Sequence, residues 1–132
     1  MSIKILDCTL RDGGRIIDCK FSHNQVLEVS TSLLDCGIEF VELGFLEDTK
    51  KQNHETFSTY FDDIKKTQNF IKQKASYSVF TNFGRYDFGK LCDYQDNLPK
   101  YIRLGFTLQD FLDSYSEIKK TVLEIKNKGY NI

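Results

Sequence analysis

Apolar and polar positions along this chain follow two rhythms, one of period two and one of period 3.6, and the changes between them mark out its elements. Residues 3–8, IKILDC, read as a strand, and SHNQ at Ser22–Gln25 has the S-x-x-Q form of a capping box that starts a helix. Val26, Val29, Leu33 and Leu34 then fall on one helical stripe, and Gly37 supplies a left-handed stop. Residues 38–45, IEFVELGF, are β-branched and aromatic enough for a second strand. A polar loop through Asn53 leads to Phe57, Tyr60, Phe61, Ile64, Gln68 and Ile71, a second helical stripe that is apolar except at Gln68.

The second half repeats the scheme. SYSVFT at 76–81 predicts a third strand, a weaker stretch around Tyr86–Tyr94 predicts a short helix before Pro99, and YIRLGFT at 101–107 predicts a fourth strand. Thr107 with Asp110 makes another capping pair, followed by a stripe of Phe111, Tyr115, Ile118, Val122 and Ile125 that ends near Gly129. YNI at 130–132 opens a fifth strand. Strands joined by connections of this length lie parallel, with their crossover helices packed outside. The fold class is therefore α/β, as an open doubly wound sheet or as the first half of a (β/α)₈ barrel, which when complete needs ~250 residues.

Composition narrows the partners. The chain has 132 residues, 40% of them hydrophobic, enough for a single domain, 1–132. Its 18 basic and 19 acidic side chains leave a formal net charge of -1, which argues against nucleic acid or an anionic membrane surface and for a small-molecule ligand. No apolar run approaches the ~20 residues of a membrane span. Cys8, Cys19, Cys36 and Cys92 form no C-x-x-C pair, so they read as reduced, mostly buried thiols of a cytoplasmic protein. A half-barrel exposes two parallel edges and one side of its core, so the chain is either a piece of a larger protein or covers that edge with a second copy as a homodimer.

The charges around the first strand do not suit a simple turn. LDCTLRDGGR at 6–15 crowds Asp7, Arg11, Asp12 and Arg15 against Gly13 and Gly14, glycines that would let the turn reach positive φ. Glu42 lies between Val41 and Leu43 near the end of the second strand, and Arg103 between Ile102 and Leu104 in the fourth. Buried charges are costly unless paired or bound to metal. In either architecture the carboxyl ends of the strands carry the ligand site, so Arg11, Asp12, Glu42 and Arg103 converge there. Each also has a plain structural reading: Asp12 as a turn cap, Glu42 with Arg103 as an interior ion pair, Arg15 and Asp18 as loop surface. His23 and His54 sit far apart at helix-start or loop signals and are weak metal candidates.

The D-x-T-L-R-D-G run at 7–13 resembles the signature of the metal-dependent pyruvate aldolase and acyl-CoA/2-oxoacid lyase-synthase superfamily, the DRE-TIM metallolyases. Its members include hydroxymethylglutaryl-CoA lyase, isopropylmalate and homocitrate synthases, 4-hydroxy-2-oxovalerate aldolases and the carboxyltransferase domains of pyruvate carboxylases. VELGF at 41–45 is similar to the second motif, and the Cys-Thr-Leu with Gly-Gly looks closest to the aldolase-like branch. The resemblance implies that the chain is the amino-terminal half of a barrel in a longer protein. It further implies that Asp12 is a ligand of Mg²⁺ or Mn²⁺ and that a 2-oxo acid is the substrate. Arg11 and Arg103 would bind that substrate, and Arg11 would meet the negative charge of its enolate. Glu42 would hold Arg11 or take part in proton transfer. Two departures accompany it: the late His-x-His pair that completes the metal shell is absent, and Arg15 stands where the branch carries a catalytic His. Metal binding by this chain alone is therefore expected to be weak or absent. The competing reading is a non-catalytic half-barrel module for binding or assembly. A nucleotide-binding sheet is weaker still, for want of G-x-G-x-x-G.

Overall fold

A computed structural model describes residues 3–17, 20–48, 76–96 and 98–132. Its strands are β1 (Leu6–Asp7), β2 (Phe40–Phe45), β3 (Ser76–Asn82) and β4 (Tyr101–Gly105), and its α-helices are α1 (His23–Asp35), α2 (Leu108–Asp113) and α3 (Tyr115–Asn127). The strands pair in the order β1-β2-β3-β4, every pair parallel. Right-handed crossovers that always step the same way place their connections on one face of the sheet, whereas a doubly wound sheet must reverse direction. Among the described strands there is no reversal, which is the order of the first half of a (β/α)₈ barrel.

Local chemistry explains the helix ends. Ser22 and Gln25 form the capping box, each side chain bonding the other's backbone N–H. At the far end the Gly37 N–H donates to Leu34 O and the Ile38 N–H to Leu33 O, with Gly37 at φ 85°. This paired Schellman arrangement needs the left-handed conformation that glycine adopts without a Cβ clash.

Register separates two faces. Val41 pairs with Tyr77 and Val79 with Ile102, and these side chains pack with Leu43, Val26 of α1 and Ile125 of α3 into the main core. Glu42 pairs with Ser78 and Phe80 with Arg103, on the other face.

Several boundaries differ from the sequence reading. The first strand is reduced to Leu6–Asp7, because among the described strands only β2 flanks it and residues 3–5 make no ladder. The stripe expected over 111–125 is broken at Ser114, whose φ of −131° and ψ of 29° lie outside the helix. Phe111 and Tyr115 consequently stay exposed while Ile118 and Ile125 are buried. The short helix expected near 86–94 is one 3-10 turn, Phe88–Lys90. The fifth strand is present as a single parallel bridge between Asn131 and Tyr101. Gly13 and Gly14 lie in a 3-10 turn, Gly13–Ile17, and are not among the glycines of positive φ. The thiols are less buried than expected: Cys8 and Cys92 are half-buried and Cys36, at a helix end, is exposed, all three free. The stripe at 57–71, Asp18, Cys19 and His54 lie outside the described residues.

Candidate functional site

The loop after β1 is shaped by its own side chains. The Thr9 N–H and hydroxyl donate to the Asp7 carboxylate at 2.9 and 3.2 Å, and the Arg11 and Asp12 N–H groups donate to Cys8 O at 3.1 and 2.7 Å. Leu10, 2% exposed, pins the loop into the core. The next side chain, Arg11, is thereby held across the carboxyl ends of the strands. Asp7 therefore serves the turn.

Glu42 is the centre of the site and has no solvent exposure. Its Oε1 accepts from Arg11 Nε at 2.5 Å. Its Oε2 pairs with Arg103 Nε at 3.1 Å and accepts from the Ser78 hydroxyl at 3.4 Å. A charge-assisted set of this kind satisfies a carboxylate that burial would otherwise make costly. Arg11 continues the chain of charges, its Nη1 donating to Asp12 Oδ1 at 3.0 Å. The same Asp12 oxygen lies 3.5 Å from Arg15 Nε. The order Arg103, Glu42, Arg11, Asp12, Arg15 thus alternates in sign.

Two aromatic rings line the network. The Arg11 guanidinium carbon lies 4.7 Å from the Phe80 ring centroid and 5.7 Å from that of Phe45. Arg103 lies 5.3 Å from Phe80 and Arg15 5.7 Å from Phe45, all within cation–π range. Burial opposes the charge of Arg11, but the hydrogen bond and charge of Glu42 outweigh it and raise its pKa above the ordinary value. The Cys8 thiol, 3.8 Å from Arg103 Nη1, is pushed up by burial and by the nearby Glu42 charge. It is therefore a protonated neighbour of the arginines at neutral pH.

The four residues singled out from sequence stand in one connected network. Arg11 bridges Asp12 and Glu42 directly, while Arg103 joins through Glu42. Arg15, read as loop surface, is indeed exposed yet pairs with Asp12. Sequence reasoning missed Ser78, Phe80, Phe45 and Cys8. The alternation of β3 carried a signal for two of them, since Ser78 and Phe80 fall on the face opposite Tyr77 and Val79. Among the described residues no group of three or more His, Cys, Asp or Glu side chains is arranged to hold a metal ion. Asp12 is the oxygen donor within the network that remains open to solvent, its side chain 60% exposed.

No family model matches the chain, and no curated protein matches it. Among solved structures the chain is similar to the N-terminal domain of a putative aldolase from Bacteroides vulgatus, with 22% identity and a TM-score of 0.68. The match covers 97% of this chain and 42% of that one, so the chain spans well under half the length of the structure it resembles. At this identity the likeness shows a shared fold, a parallel α/β sheet with helices. Among the described residues no helix is long and apolar enough to cross a membrane.

Proposed function

We propose that this chain is the amino-terminal half of the barrel of a metal-dependent aldolase or lyase that makes or breaks the carbon–carbon bond next to the carbonyl of a 2-oxo acid. The carrying observation is Arg11, held between the buried Glu42 and the exposed Asp12 at the carboxyl ends of parallel strands. Such a guanidinium, fixed before substrate arrives and partly removed from water, is suited to the negative charge that grows on the carbonyl oxygen as the bond breaks. Arg103, its side chain 43% exposed, is suited to the substrate carboxylate. Glu42 has both oxygens engaged by donors, which favours a role in holding the two arginines over one in proton transfer. The arginine-to-carboxylate pairing of Asp12 suits it to exchange a guanidinium for another cation.

The metal belongs to this reading through Asp12. Mg²⁺ is commonly held by one or two carboxylates, with waters and substrate oxygens completing the shell, and one solvent-facing carboxylate fits that mode. The ion, Mg²⁺ or Mn²⁺, would supply Lewis-acid polarisation of the carbonyl. Competition from Arg11 and Arg15 for Asp12 leads us to expect weak binding by this chain alone. The same reading assigns a cytoplasmic location and a cover for the open sheet edge, either further chain or a second copy.

The natural protein, assayed for pyruvate release from 4-hydroxy-2-oxo acids with Mn²⁺, tests it. Arg11→Lys is expected to lower kcat by roughly 10²-fold or more, the usual loss when a preorganised donor is removed from a developing oxyanion. Asp12→Asn is expected to abolish the saturable dependence of the rate on Mn²⁺ while leaving the melting temperature unchanged. A second reading, a non-catalytic assembly module, is favoured by the internal pairing of the whole charge series. That reading gains if Asp12→Asn destabilises the fold without touching metal affinity, and sedimentation reports whether two copies assemble.

A further inference from the structure

Two guanidinium groups of like charge meet at Glu42 although they come from β4 and from the loop after β1, strands that are not neighbours. Glu42 supplies the attraction, but a carboxylate alone leaves each guanidinium free to swing about its hydrogen bond. Phe80 supplies a surface. Its ring stands 4.7 Å from the Arg11 guanidinium carbon and 5.3 Å from that of Arg103, and Phe45 braces it edge-on at a centroid separation of 5.9 Å.

The ring reaches that position because residue 105 has no side chain. A Cβ at Gly105 would lie 2.7 Å from Phe80 Cζ, 3.0 Å from Cε2 and 2.9 Å from Asn82 Oδ1. The backbone there is tied, since Gly105 O accepts from the Phe83 N–H at 2.7 Å and Gly105 pairs with Asn82 in the β3–β4 ladder. A methyl group would therefore have to displace the ring. We propose that Phe80 is a positioning residue that fixes both guanidinium groups at the strand ends, and that Gly105 is the glycine that makes room for it. The consequence for recognition rests on the aldolase reading: the pair of arginines is set to receive a small planar oxyanion such as a 2-oxo acid.

The test uses the full chain with ¹⁵N-labelled arginine and has two readouts. The Nε–H protons of Arg11 and Arg103 are expected to carry upfield ring-current shifts. Phe80→Leu removes those shifts. Gly105→Ala disturbs them and lowers the melting temperature, and adding Phe80→Leu to Gly105→Ala recovers part of that loss because the clash has gone. With oxalate as the probe, Phe80→Leu and Gly105→Ala are each expected to weaken binding roughly tenfold, the scale of lost cation–π contacts. Unmoved arginine resonances in Phe80→Leu, or strictly additive melting effects of the two substitutions, overturn the proposal. Should Gly105→Ala not fold, the arginine resonances of Phe80→Leu decide alone. Failure of oxalate to bind the unaltered chain counts against the aldolase reading, whereas the resonances still report on Phe80.

Discussion

Val41, Glu42 and Leu43 are consecutive residues of one strand, all within 1% of complete burial, yet they belong to two different kinds of interior. Val41 and Leu43 join an aliphatic layer with Val79, Ile102 and Ile125 that is sealed by helices. Glu42 faces a layer in which Arg11, Arg103 and Ser78 engage its oxygens and the Phe80 ring lies against both arginines. The aliphatic face is stable because water is excluded, which is non-directional and tolerates small shifts. The charged face is stable only while its partners stay in register, because a buried charge that loses one partner keeps its full desolvation cost.

The largest expected effect comes from breaking the charged face. Glu42→Leu leaves the nearly buried Arg11 without its buried counter-charge, with only the exposed Asp12 still paired to it, and is expected to cost about 3–5 kcal/mol in urea unfolding. Adding Arg11→Met and Arg103→Met should recover much of that loss, as paired charges replaced by apolar groups often cost little. A triple variant no more stable than Glu42→Leu would mean that the two faces are not independent.

On the aliphatic face, Ile125→Ala should cost about 3 kcal/mol through lost transfer energy and the cavity left behind. Arginine Nε–H resonances should not move in that variant. If they do, the sheet transmits packing from one face to the other.

The smallest effect is set by pH. Burial raises the pKa of both Tyr77 and Tyr130, and for Tyr130 the hydrogen bond to Cys92 adds to it. The unfolded chain then loses its phenolic protons first, so stability is complete below about pH 10 and declines as pH rises past it. Tyr130→Phe should flatten that decline and, by removing the 3.1 Å hydrogen bond to Cys92 O, cost about 1 kcal/mol at neutral pH. An unchanged alkaline slope in urea midpoints would assign the titration elsewhere.

Features that depend on neighbours a few residues away are legible in the amino-acid order alone. The capping boxes at Ser22–Gln25 and Thr107–Asp110, the stop at Gly37 and the strand positions of Glu42 and Arg103 are of this sort. Their chemistry is complete within one turn or one strand. The break at Ser114 is not legible there, because a stripe of apolar residues records which positions repeat and not whether the backbone stays helical between them.

What the sequence determined by itself is the parallel α/β class, the helices that begin at the caps Ser22 and Thr107, and the presence of charges where an apolar run should hold none. Only the tertiary structure decided how those charges are satisfied. Glu42 meets Arg11 across 31 residues of chain and Ser78 across 36, and Phe80 comes beneath both arginines through strand register and an absent side chain at Gly105. Contacts of this kind are set by which strands lie side by side and by how far each slides along its neighbour, and side-chain periodicity within a single strand carries neither.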